Sequence, residues 1–112
     1  MKKLNFNTVK KSYFTVTLAD EANTTIMIAC PTKALVDDLM AFENSLKVVN
    51  EEEITDTSMD DLYRTCAKLM SRNKTGKVIT KEYLEQIFDI EDINLFYVSY
   101  MDFVYEIANS KN

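Results

Sequence analysis

The sequence predicts an α+β fold in which an N-terminal antiparallel β-hairpin packs on a bundle of about four α-helices. Three observations carry that prediction. Apolar and polar residues alternate with period two through residues 13–18 and again through 25–28, as in half-buried strands. From Pro31 onward the apolar residues recur every three or four positions, the spacing of a helix face. One Gly and one Pro in 112 residues leave little punctuation, so long elements joined by short connections are expected.

A chain of this length supports one hydrophobic core, so residues 1–112 read as a single domain, with the hairpin in 1–30 and the helices in 31–112. An apolar content of 46% with 28% charged residues belongs to folded chains rather than disordered ones. The net charge is −5, and the one basic cluster is Lys2, Lys3, Lys10 and Lys11, which argues against nucleic acid as a partner held through its phosphates. No stretch has the length and flanks of a signal peptide or a membrane-spanning helix, so no membrane partner is expected. Two cysteines, Cys30 and Cys66, sit in apolar patterns and form no disulfide framework, which fits a reducing cytoplasm.

Along the chain, Phe14, Val16 and Leu18 alternate with Tyr13, Thr15 and Thr17, and Ile26 and Ile28 alternate with Thr25 and Met27. Ala19 to Asn23 is a polar connection of hairpin length, with Asn23 able to take positive φ. Leu4 and Phe6 are expected to add a further short strand. Pro31-Thr32 ends the strand region and opens a helix capped by Thr32, whose stripe is Leu35, Leu39, Phe42, Leu46 and Val49, widened by Val36 and Met40. The acidic run 50–57 reads as a solvated linker, and Ser58 as the cap of a helix burying Leu62, Cys66 and Leu69 beside Met59, Tyr63 and Met70. That helix should stop near Arg72-Asn73, followed by a turn at Lys74–Lys77, an extended Val78-Ile79 and a short helix capped by Thr80 that holds Leu84, Ile87 and Phe88. Asp89 caps the last helix, with Glu91 and Asp92 in its first turn.

Chemistry-bearing constellations are weak. With no histidine the chain lacks the commonest general base and metal ligand, and neither cysteine has a group beside it to activate it. No catalytic residue and no cofactor are assigned. Residues 71–82 have the spacing of a calcium loop, with Gly76 sixth and Glu82 twelfth. Ser71, Asn73 and Thr75 stand where acidic ligands are wanted, however, and Arg72, Lys74, Lys77 and Lys81 surround them with positive charge. A plain helix–turn–helix is the better reading, no metal site is assigned, and a degenerate calcium-loop-like module centred on 73–82 is the alternative. The carboxylates at Glu51, Glu52, Glu53, Asp56, Asp60 and Asp61 read as linker and helix-start charges.

The stronger signal is surplus apolar surface on the last helix. Ile93, Phe96, Tyr97, Tyr100, Val104, Ile107 and Ala108 share one face and form the core stripe. Leu95, Val98 and Tyr105, with Met101 at their flank, form a second stripe, and Val36 and Met40 give a smaller one on the first helix. Either neighbouring elements bury these residues, or they are a protein–protein surface. On the second reading Val36, Met40, Leu95, Val98, Met101 and Tyr105 are the partner-binding residues.

The order of these pieces also carries a resemblance. A short hairpin with Tyr13-Phe14-Thr15-Val16 is followed by a helix start at Pro31-Thr32-Lys33. Then come the segment KLMSRNKTGKVITKEYL from Lys68 to Leu84 and an acidic start to an aromatic last helix with an Asn-Ser-Lys-Asn tail. From Tyr13 to Asn112 the chain resembles the small tail assembly chaperones of long-tailed phages and prophages of Gram-positive bacteria. The resemblance implies a non-enzymatic protein of the host bacterial cytoplasm that coats the tape measure protein before the tail tube polymerises. It also implies that a frameshifted longer form recruits the tail tube protein. A homo-oligomeric structural component that stays in the particle is a further alternative.

Overall fold

The computed structural model describes residues 3–6, 11–48 and 56–109, the side chains of 44–48 and 56–58 excepted. Among these residues the chain forms β1 (Tyr13–Thr17), β2 (Thr25–Ala29), α1 (Lys33–Val48), α2 (Asp56–Met70), α3 (Lys81–Ile87) and α4 (Ile90–Asn109). The fold is α+β: an N-terminal antiparallel hairpin followed by four helices.

Alternation and the short connection together set the hairpin register. Phe14 pairs with Ile28 and Val16 with Ile26, so the apolar residues of both strands share the face turned to the helices. Ile26 and Ile28 are buried there, as is Leu18 just beyond β1. Asn23 takes φ 50° in the connection, and its N–H donates to the Asp20 carbonyl at 3.1 Å. Asp20 Oδ1 accepts the Thr24 N–H at 2.9 Å, and its Oδ2 accepts the Tyr83 hydroxyl at 2.6 Å, tying the turn to α3.

The Asp20 contacts give the fold an acid-sensitive point. The Tyr83 hydroxyl and the Thr24 backbone and side chain hold the Asp20 carboxyl down at about 2. A carboxylate favoured in the folded state stabilises it above the unfolded-state pKa of about 3.9, and that contribution is lost as pH falls toward 2. We therefore expect the melting temperature to fall between pH 4 and pH 2, and Asp20→Asn to flatten that part of the profile.

No strand forms over residues 3–6, contrary to the sequence expectation, and Leu4 and Phe6 are 71% and 70% exposed. Two alternating apolar residues specify a face but not the sheet edge with which it pairs.

Thr32 caps α1 as expected, its Oγ1 accepting the Leu35 N–H at 3.2 Å. Leu35 and Leu39 are buried, and half-buried Phe42 meets Tyr97 edge-on. The side chain of Leu46, and Val49 and linker residues 50–55, lie outside the described residues. Helix α2 begins at Asp56, so Ser58 lies inside its first turn rather than capping it. Polar Asp56 and Thr57 extend the helix because first-turn N–H groups need no intrahelical partner. Burial of Tyr63, Cys66, Ala67, Leu69 and Met70 makes α2 the middle of the helical layer.

Three tyrosines stitch the layers together. Tyr63 donates to the Phe88 carbonyl at 2.7 Å, linking α2 to the α3–α4 junction. Tyr97 donates to Glu43 Oε1 at 2.9 Å, linking α4 to α1. Tyr100, fully buried, donates to the Ala29 carbonyl at 2.9 Å, linking α4 to β2. Both cysteines are free thiols, and burial pushes Cys66 up to about 12, so it stays protonated at neutral pH.

Candidate protein-interaction surface

The loop singled out for its calcium-like spacing is built as a joint. Asn73 is buried and spends its side chain on the loop itself: Nδ2 donates to the Met70 and Lys77 carbonyls at 2.9 and 2.7 Å. Its Oδ1 accepts the Thr75 hydroxyl and the Lys77 N–H, both at 2.9 Å. Ser71 Oγ likewise accepts the Ile79 N–H and donates to the Ile79 carbonyl. Gly76 takes φ 74°, which its lack of a Cβ permits without strain. The oxygens of Ser71, Asn73 and Thr75 thus bond to neighbouring loop groups, while Glu82 is exposed in the first turn of α3. Among the described residues no group of three or more His, Cys, Asp or Glu could hold a metal ion.

The same loop joins the sheet. Ala29 N–H donates to the Arg72 carbonyl at 2.8 Å and Lys74 N–H to the Met27 carbonyl at 2.9 Å, so residues 72–74 cover the outer edge of β2. Arg72 also donates to the Cys30 carbonyl at 2.9 Å. The sequence-level motif is therefore the clamp between hairpin and helices.

The α3–α4 junction is fixed by two caps. Thr80 accepts the Tyr83 N–H at 3.1 Å, as its position before α3 predicts. Asp89 Oδ1 accepts the Asp92 N–H at 2.8 Å, and Asp92 Oδ2 accepts the Asp89 N–H at 3.1 Å, a reciprocal capping box. These bonds orient the first turn of α4 and hence its faces. Ile93, Phe96 and Tyr100 are buried, and Tyr97, Val104 and Ile107 are half-buried along the expected core stripe. Ala108 is exposed near the end of the helix.

The second stripe remains uncovered. Leu95 is 66% exposed, and Val98 and Tyr105 are each 48% exposed. Met101 departs from the expectation: it is 8% exposed and belongs to the core, so it offers no contact surface. Its position, three residues on from Val98 and one from Tyr100, places it on the shoulder between stripe and core, where a flexible side chain fills space against neighbours. On α1, Met40 is 45% exposed but Val36 is half-buried. Met40 lies two residues before Phe42, which meets the Tyr97 ring, and three before Glu43, which accepts the Tyr97 hydroxyl.

Beside Leu95 a groove of about 300 Å³ runs between α4 and β1, lined by Phe14, Val16, Leu95, Phe96 and Ser99, with Asp92 at the same wall. The sequence pattern puts Phe14 and Val16 on the apolar face of a half-buried strand and gives no sign of this groove. The alternation that put them on the inner face was the available signal, but it carried no measure of how far the helices cover that face. The groove and the Leu95–Val98–Tyr105 stripe share Leu95.

No protein family, curated protein or solved structure with which the chain was compared matches it. Among the described residues, no helix is long and apolar enough to cross a membrane.

Proposed function

We propose that this protein is a non-enzymatic tail assembly chaperone of a long-tailed phage or prophage. It binds the tape measure protein in the host bacterial cytoplasm during tail morphogenesis. The observation that carries this reading is the uncovered stripe of Leu95, Val98 and Tyr105 on α4, a helix held rigidly by its caps and buried tyrosines. A holdase for a long helical client needs such a surface on a rigid support, together with enough net charge to stay soluble, here −5. The resemblance running from Tyr13 to Asn112 supplies the class of client.

Co-expression with the tape measure protein encoded nearby tests the proposal. The client is expected to co-purify and to gain solubility. Val98→Asp with Tyr105→Asp should weaken capture by about 2 kcal/mol, on the order of 30-fold, because both side chains lie on the exposed stripe. Failure of the wild-type chain to capture or solubilise the client sinks the idea. The same stripe also suits a homo-oligomeric component of the particle. Mass spectrometry of purified virions separates the two readings, since an assembly chaperone is missing from the finished particle.

A further inference from the structure

We propose that the exposed face of α4 is one half of a two-helix seam, and that its occupant is an amphipathic helix carrying a lysine or arginine between apolar residues, opposite Asp102. The inference rests on the reading of this stripe as a client surface and adds the chemistry of the segment bound there.

Spacing defines the seam. Leu95, Val98, Asp102 and Tyr105 step by three, four and three residues along α4, and all four are exposed. Glu91, four residues before Leu95, and Asn109, four after Tyr105, carry the same line toward both ends of the helix and are exposed as well. Alternating steps of three and four keep one line of side chains facing a neighbouring helix, the pattern of a coiled-coil seam. From Glu91 to Asn109 that line runs roughly 27 Å, more than two heptads. Tyr100 lies on the opposite side of the helix and is fully buried, so the line faces away from the protein's own core.

Charge selects the occupant. Helix α4 carries Glu91, Asp92, Asp102 and Glu106 and no basic residue, and the chain has none between Lys81 and Lys111. Among the described residues, none of these four acids forms an ion pair. Asp102 stands in the seam itself, between Val98 and Tyr105, so a helix laid on the stripe covers it. A carboxylate covered by apolar side chains alone loses its water and gains nothing in return. A lysine or arginine opposite supplies the missing charge, and its apolar stem packs beside Val98 and Tyr105. Asp92 and Glu106 line one flank of the seam, where further basic residues of the occupant fit. A second copy is the poorer occupant, because it brings the same four acids and no base, and like charges then meet along the seam.

Calorimetry and amide chemical shifts of the full chain, titrated with synthetic helical peptides, test this. The probe is a peptide of about three heptads with leucine at the seam positions and one lysine at a central seam position. One control has glutamate in place of that lysine; the other exchanges the lysine with a glutamine on the outer face, so its charge is unchanged. The lysine peptide is expected to bind and to shift the amides of Leu95, Val98, Asp102 and Tyr105. Each control should bind at least about tenfold more weakly. Asp102 is exposed, so Asp102→Lys leaves the core intact, and it should reverse the preference toward the glutamate peptide. No binding of the lysine peptide, equal binding of all three, or shifts that spare the α4 stripe would each overturn the inference. So would self-association of the wild-type chain that Val98→Asp abolishes. A tape measure protein captured equally by wild type and Asp102→Lys removes the seam and leaves the chaperone reading standing. A chain that discriminates among the peptides but does not capture the tape measure protein does the reverse.

Discussion

Replacing Tyr100 with Ala is expected to bring the protein close to its unfolding midpoint at room temperature. The ring is fully buried and meets Phe14 at 5.9 Å edge-on, Phe96 at 5.9 Å stacked and Phe103 at 5.8 Å. Truncating a buried aromatic costs about 3–5 kcal/mol in lost transfer energy and cavity formation. Loss of the hydroxyl removes a bond to the Ala29 carbonyl, which is turned away from β1 and toward α4, and adds about 1 kcal/mol. Against a typical domain stability of about 5–15 kcal/mol, that sum removes most of what a weakly stable chain has and lowers the melting temperature by roughly 20 °C. Tyr100→Phe separates the two parts. It keeps the aromatic cluster and should cost only about 1–2 kcal/mol. Burial pushes the Tyr100 phenol up to about 12, so the hydroxyl remains a donor throughout the neutral range and the difference between the two variants should not change with pH there. Urea unfolding followed by far-UV circular dichroism reads all three chains. A Tyr100→Ala variant as stable as wild type would contradict the placement of α4 against the hairpin.

Asn73→Ala is the second large effect, expected at about 2–4 kcal/mol. One side chain makes hydrogen bonds to Met70, Thr75 and Lys77, four in all, and the loop that it organises is also the clamp on β2. Each lost bond is worth about 1 kcal/mol, and loss of the buried bond to the Met70 carbonyl raises the total. Asn73→Asp is the sharper test. A carboxylate cannot donate, so the variant faces the Met70 and Lys77 carbonyls with negative charge and should be at least as unstable as Asn73→Ala. If residues 71–82 were a weak calcium loop, the added carboxylate would strengthen it and calcium would raise the melting temperature. We expect no such rise in thermal melts with millimolar calcium.

Local signals in the sequence determined a good part of this molecule. The apolar face of the hairpin followed from Phe14, Val16, Ile26 and Ile28, because a period-two pattern with one buried face excludes a one-residue slip. Thr32, Thr80 and Asp89 cap their helices as read from sequence, since a short polar side chain before an apolar period satisfies free N–H groups through contacts only three residues long. Ser58 was misplaced by the same logic, because α2 starts at Asp56 and a cap-forming residue is also tolerated inside the first turn.

Tertiary structure alone decided the rest. Nothing local distinguishes Met101, which is buried, from Val98, which is not, because their difference is set by which neighbours reach the shoulder of α4. The role of residues 71–77 depends on pairing with β2 more than forty residues earlier in the chain, a contact for which no periodicity codes. The exposed stripe of Leu95, Val98 and Tyr105 was legible as surplus apolar residues; that it stays uncovered, and that Leu95 also lines a groove with Phe14 and Val16, was not. Burial is a property of two surfaces, and a sequence pattern describes only one of them.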